Sequence, residues 1–245
     1  MDISDEILFG RIDDMISVSA VRNKPQYMGF LDERQQYIVK NYIKYFDYDF
    51  NFFGGYSGAE RCFASINAAN QPLIYPIVAV EFSFRKADKL THRDFLGSLM
   101  ALGIKRESVG DILVDEGRAI VFVDENISAY ILNQTNKIGK VGVKTKIVTE
   151  FNLPENDETQ AISGTISSPR LDCYVNLITR LSREKSKELI MSKTVTLNYE
   201  ICQNQSKAVS ENDRISIRGY GKFTVDKIGS LTKKGRYHTT VLKHI

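Results

Sequence analysis

The sequence predicts a mixed α+β chain in three parts, and three observations carry that reading. Strand and helix signals alternate as β-α-β-β-α-β between residues 76 and 150. Ahead of them, residues 1–75 hold two helical stretches and an aromatic strand, an N-terminal α+β domain. Behind them, residues 170–245 read as two short helices followed by strands, with Arg and Lys along one edge.

In the first part a helix is expected over Ser4–Ser17. A second opens after Asp32, whose carboxylate suits the free amides of the next turn. Gln35, three residues on, supplies the reciprocal half of a capping box. Ile38, Tyr42, Tyr45 and Phe46 then fall at helical spacing. In "FDYDFNFF", Tyr48, Phe50 and Phe52 alternate with Asp47, Asp49 and Asn51, the pattern of a half-buried strand. The glycines of "FGGYSGAERCFASI" mark a tight turn into another strand. The aromatic stripe invites base stacking, but Asp47 and Asp49 beside it repel phosphate, so a core face is expected. "GGYSG" lacks the Gly-Lys-Ser/Thr of a P-loop, so it reads as a turn.

The second part is legible element by element. "IVAVEFSF" is a strand. Thr91 and Asp94 form the two halves of a capping box, Phe95, Leu99 and Leu102 make an apolar stripe, and Gly103 ends the helix. "DILV" and "RAIVFV" are strands around the turn "DEG". Asp124 opens a helix carrying Ile127, Tyr130 and Ile131 that ends near Gly139, and "KVGVKTKIV" is the last strand. This order is the ferredoxin-like arrangement that RNA-recognition motifs also adopt. The fold does not bring the function with it. RNA-recognition motifs stack bases on strand aromatics, and "GRAIVFVDE" offers only Phe122. Base reading by this sheet is not expected, and Arg85, Lys86, Lys105 and Arg106 are left for backbone phosphate. "FNLPENDETQAISGTISSP", residues 151–169, is polar with proline at both ends, and reads as a linker or an irregular strand.

Composition narrows the function classes. Hydrophobic content of 42% and charged content of 26% are ordinary for a globular protein. No apolar run is long enough to span a membrane, and the acidic start "MDISDEILFG" lacks the basic region of a signal peptide. A cytoplasmic protein without membrane partners is expected. Cys62, Cys173 and Cys202 are far apart and odd in number, which fits reduced thiols. The net charge of +3 is uneven: residues 167–245 carry 15 Lys and Arg against 7 Asp and Glu, a net +8, leaving −5 for the rest. A basic module on a mildly acidic body fits nucleic-acid binding.

Within that module Leu171, Tyr174, Val175, Ile178 and Leu181 line one side of a first helix. Ser182 is placed to cap a second, which Leu189 and Ile190 anchor. Arg183 and Lys187 share one face at a spacing of four, with Lys185 to the side. Arg183 falls in the first helical turn, where the helix favours an anion over a cation, a local conflict expected where phosphate binds. "TVTLN" and "DRISIRGYGKFTV" supply strands, with Arg214 and Arg218 near the ends of the second.

These residues carry a resemblance. "RLDCYV", "SREKSKELI", "VTLN" and "NDRISIRG" resemble an S4 RNA-binding domain, matching at Arg170, Leu171, Asp172, Ser182, Arg183, Val195, Asn198, Asp213 and Ile215. Lys193 and Asn212 stand where that pattern usually has glycine. With "FFGGYSGAERCFASI" and "EFSFRKADKLTHRDFLGSLMALGIKRESVGDILV", the whole chain resembles the YlmH family of bacterial S4 proteins. The resemblance implies a ribosome-associated protein of the cytosol. It implies contact with rRNA and tRNA on a large subunit carrying stalled peptidyl-tRNA, beside the factor that adds alanine tails. A link to cell division is also attached to the family.

The expected function is structured-RNA binding without catalysis. Arg170, Arg180, Arg183, Lys185 and Lys187 are the expected phosphate contacts, with Lys193 and Arg218 widening the patch and Ser182 and Asn198 included from the matched pattern. Asp172 is expected to orient its basic neighbours or to cap or pair within the module. His92, His238 and His244 show no catalytic or metal-ligand spacing, and no cofactor loop is evident, so no cofactor and no metal are expected. Two other readings remain: a protein-interaction adaptor linked to cell division with the S4 domain as its RNA anchor, and an rRNA- or tRNA-modifying enzyme.

Overall fold

The computed structural model describes residues 3–44, 46–67, 71–151, 159–232 and 235–244. The chain divides into two compact units, Met1–Pro154 and Glu155–Ile245.

The first unit opens with α1 (Ile3–Arg22), which runs past the expected end at Ser17. The Ser17 hydroxyl folds back onto the Asp13 carbonyl at 2.9 Å, a bond that a helix accommodates. A strand the sequence reading did not contain, β1 (Gln26–Leu31), follows. The capping box of α2 (Glu33–Ile43) is complete. The Gln35 N–H donates to Asp32 at 2.8 Å, and the Asp32 N–H to the Gln35 side chain at 2.9 Å. Tyr45 lies outside the described residues. Then β2 (Asp49–Phe53) and β3 (Cys62–Asn67) complete an antiparallel sheet in the order β1-β3-β2. Leu8, Ile12, Met28, Val39 and Ile43 pack the helices onto it.

The next elements are β4 (Ile77–Ser83), α3 (His92–Ala101), a 3-10 turn (Arg106–Ser108), β5 (Val109–Asp115), β6 (Arg118–Asp124) and α4 (Glu125–Gln134). The helix stops at Gln134, short of the expected end near Gly139; β7 (Lys137–Ile138) follows it and pairs with β8 (Val141–Gly142), so the stretch expected as one last strand is split into β8 and β9 (Lys144–Val148), which closes the sheet. The four strands lie in the order β5-β6-β4-β9, all antiparallel. At α3 the Asp94 carboxylate takes both the N–H (2.8 Å) and the hydroxyl (2.6 Å) of Thr91, and at α4 Asp124 accepts the Asn126 N–H at 2.9 Å.

This sheet buries both faces. On one, Val80, Phe82, Val121 and Val123 meet Phe95, Leu99 and Ile131. On the other, Ala79, Ile120 and Phe122 meet Phe30 and Phe63 of the N-terminal sheet. Phe122 is 1% exposed. Its ring stacks on Tyr56 at 4.8 Å and takes the edge of Phe151 at 5.3 Å. Gly55 permits this contact: its φ is +103°, and a Cβ there would sit 2.5 Å from the Phe122 ring. The one aromatic that a base-reading sheet would display is therefore core.

A polar clamp fixes the two sheets together. Buried Asp111 accepts the Tyr56 hydroxyl at 2.8 Å, the Glu60 N–H at 2.7 Å and the Arg61 N–H at 3.1 Å.

In the second unit, β10 (Thr159–Ile166) precedes α5 (Leu171–Thr179) and α6 (Arg183–Met191). The strands β11 (Val195–Leu197), β12 (Glu200–Ile201), β13 (Arg214–Ile217), β14 (Gly221–Leu231) and β15 (Tyr237–His244) follow, and the six-stranded sheet runs β10-β15-β14-β13-β11-β12. The segment 151–169, expected as a linker or an irregular strand, thus contributes a regular strand paired along its length with β15. Its sequence is polar because most of its side chains face solvent, and its partner lies at the far end of the chain. Tyr174, Val175, Ile190, Val195, Ile215 and Val241 fill the core beneath the helices.

Replacing Asp111 by Ala strips three donors of their buried acceptor and should destabilise the protein by about 3 kcal/mol. Urea unfolding of the full chain measures it, and an unchanged midpoint would contradict the clamp.

Candidate nucleic-acid interface

The basic edge of the second unit is organised around a buried carboxylate. Asp172, 1% exposed, sits in the first turn of α5. Arg170, the residue before that helix, grips it with two bonds, Nε to Oδ1 at 3.2 Å and Nη2 to Oδ2 at 3.1 Å. Arg183, the first residue of α6, places Nη2 3.8 Å from the same Oδ2 while 67% of its side chain stays exposed. One carboxylate thereby aligns two guanidinium groups from the starts of two helices, leaving Arg183 turned largely to solvent.

Local signals place these residues. Ser182 caps α6, its hydroxyl accepting the Lys185 N–H at 3.3 Å. Ser186 and Ile190 are the buried residues of that helix, Lys185 is exposed and Lys187 half-buried. Arg183 and Lys185 thus flank an outward face that also carries the exposed Glu184 and Glu188, with the half-buried Lys187 nearer the core side. Arg180 closes α5 in left-handed backbone at φ +56°, its N–H on the Asn176 carbonyl at 2.9 Å and its side chain exposed. Arg218 is exposed just past β13.

Asn198 is used inside the fold. With Tyr199 it forms the tight turn joining β11 and β12, both residues at positive φ, as a two-residue hairpin requires. Its amide donates to Asp213 at 2.8 Å and its carbonyl accepts the Arg214 N–H at 2.9 Å.

Two arginines outside the expected set join the picture. Arg214 lies 5.9 Å from the Tyr199 ring, and burial lowers its pKa. Arg236 bonds the Thr165 carbonyl at 2.9 Å and lines, with Asp172, Asn176 and Arg183, a cleft of about 260 Å³. The sequence hid Arg236 because β10, which supplies the facing carbonyl, read as a linker or an irregular strand, with nothing to show its pairing with β15.

Comparison with known proteins adds three findings. The chain is 32% identical over 225 residues to ribosome-associated protein quality control protein P2 of Bacillus subtilis (strain 168), covering 86% of this chain and 84% of that protein. The domain described as "Putative RNA-binding domain in YlmH" matches residues 75–151. The chain belongs to the YlmH family. A solved structure titled cell division protein ylmH from Streptococcus pneumoniae has the same fold, with TM-score 0.53 and 19% identity, covering 60% of this chain and 93% of that one.

This YlmH relative resolves what its two missing glycines do. Lys193 stands at φ +61° and Asn212 at φ +69°, so both turns keep left-handed backbone without glycine. Lys193 holds the turn after α6 and exposes its side chain. A lysine in that region carries about 1 kcal/mol of strain.

Lys193→Gly should therefore raise stability by about 0.5 kcal/mol, the relief of strain being partly offset by the freer unfolded chain. Thermal melting checks the sign. Asp172→Ala should destabilise the unit by about 2 kcal/mol, a figure already discounted because Arg170 is partly solvated. Chemical denaturation measures it, and a neutral result would mean that the carboxylate does not organise this edge.

Proposed function

We propose that this chain is a non-catalytic RNA-binding protein acting on the large ribosomal subunit. In this reading the basic unit, an S4-type module, holds structured rRNA and tRNA through backbone phosphates. It serves the handling of stalled peptidyl-tRNA complexes in the cytoplasm, beside the factor that adds alanine tails. The observation that carries it is the pair Arg170 and Arg183 fixed on Asp172, because two guanidinium forks held at one carboxylate form a ready cradle for phosphate oxygens. The name of the Bacillus subtilis relative supports the ribosomal setting, and the description of the matched domain supports RNA as the ligand. Phosphate contacts of this kind set position and register and carry little sequence information. Selectivity then comes from RNA shape.

The test is sedimentation with large ribosomal subunits over a range of salt. Arg183→Ala with Lys187→Ala should weaken binding and flatten the slope of log affinity against log salt by about 2, one for each lost contact. Co-sedimentation equal to the unmodified protein at every salt concentration would overturn the reading.

A further inference from the structure

The domain matched as RNA-binding spans residues 75–151, yet its sheet buries both faces. A ligand for it must bind elsewhere. The first unit contains an open cleft of about 430 Å³, within the range of small-ligand pockets, whose charged lining residues are Arg11, Asp32, Arg61, Lys105, Arg106 and Glu107.

The charges in this cleft do not cancel. Glu107 is committed to Arg11 at 2.9 Å. Asp32 is committed to its helix cap, accepting the Gln35 N–H at 2.8 Å. Among the described residues, no carboxylate forms an ion pair with Arg61, Lys105 or Arg106. The two arginines are held by main-chain carbonyls instead. Arg61 donates from Nε to Val109 at 3.1 Å and from Nη2 to Phe30 at 2.9 Å and Arg106 at 3.4 Å. Arg106 donates from Nη1 to the same Val109 carbonyl and to Gly110 at 3.4 Å. Two half-buried guanidinium groups thus share one carbonyl. Burial first, and Arg61 second, push the Arg106 pKa down to about 10, against a partial counter-effect of Asp111 and Asp32. Asp32 and Asp111 offset part of this charge through space but neither pairs with a guanidinium, so the lining, with Arg11, Arg61, Lys105 and Arg106 against Asp32 and Glu107, stays net cationic. An anion entering the cleft offsets that excess.

We propose that this cleft binds a phosphodiester of an RNA strand, with Arg61 and Arg106 as the fixed floor and the exposed Lys105 as the mobile contact at the rim. The proposal rests on the RNA-binding reading above and adds a second phosphate site to it. RNA is favoured over a small anion because Lys105 and Arg106 belong to the matched domain, and because about 430 Å³ is more room than one phosphate needs. Arg61 also ties β1 to β5 and Arg106 braces the start of β5, so their removal risks the fold. Lys105 carries no such burden.

The experiment uses the full chain, large ribosomal subunits and a potassium chloride series, with Lys105→Glu, Lys105→Arg and the Arg183→Ala, Lys187→Ala double variant. Lys105→Glu should bind about tenfold more weakly at 0.1 M salt and flatten the salt slope by about 1, while Lys105→Arg keeps wild-type affinity. If Lys105→Glu, folded by circular dichroism, binds like wild type while the double variant is weakened, the cleft proposal falls and the reading of the second unit stands. If wild type and every variant share one weak affinity, both fall. A parallel melt in inorganic phosphate at constant ionic strength separates the sources. Stabilisation of wild type but not of Lys105→Glu, with subunit affinity unchanged, would make this a free-anion site and overturn the RNA assignment.

Discussion

The central sheet has to bury both of its faces, and much of the first unit follows from that constraint. The five inner residues of β6, Ala119 to Val123, are all buried. A strand apolar on both sides cannot leave either to water, because each fully buried side chain of this size contributes about 2 kcal/mol of transfer free energy. Helices α3 and α4 cover one face. The N-terminal sheet covers the other, so it cannot be a loosely attached appendage. The turn through Gly55, the stack of Tyr56 on Phe122 and the grip of Asp111 on the main chain of Glu60 and Arg61 all serve that closure. Closure also removes the surface from which a sheet of this kind would stack bases. Chemistry directed at RNA is displaced from rings to cations, and from the sheet to its flanks.

The second unit has a different organising contact. Its core is conventional, two helices on a twisted sheet, but the starts of those helices meet at one buried carboxylate. Burying Asp172 alone would be unfavourable; the fork of Arg170 makes it tolerable, and Arg183 adds a weaker, more solvated partner. Positioning and stability are therefore the same interaction here. The mild penalty for a cation in the first turn of α6 is met in part by Asp172, which stands across from that turn.

What was legible in the sequence was local. Asp32, Asp124 and Ser182 cap the helices they were expected to cap, because a cap is settled within four residues. The alternation around Phe50 and the apolar run at Val121 were likewise sufficient to place strands. What was hidden was non-local. β1 contains a glycine and no clean alternation, and only β3 makes it a strand. β10 is polar and finds its partner at the other end of the chain. The basic edge of the second unit could be read because its motif residues cluster within a short span. Arg61 gave no signal, since its partners are carbonyls of Phe30, Arg106 and Val109, and no side-chain pattern records a carbonyl.

Net charge was similarly blind to place. Residues 1–166 sum to −5, yet the cleft around Arg61 and Arg106 is cationic. Asp32 and Asp111 offset part of the charge on both arginines, while exposed acids farther away than about 8 Å are screened at physiological salt. The two basic sites also hold their arginines by opposite means. A carboxylate orients Arg170 and Arg183 but cancels part of their charge, so that edge gains geometry and loses field. Carbonyls orient Arg61 and Arg106, and Asp32 and Asp111 offset their charge only through space, so the cleft stays net cationic. The first arrangement fixes direction through a charged partner, and the second through neutral acceptors that leave the guanidinium charge to be met from outside.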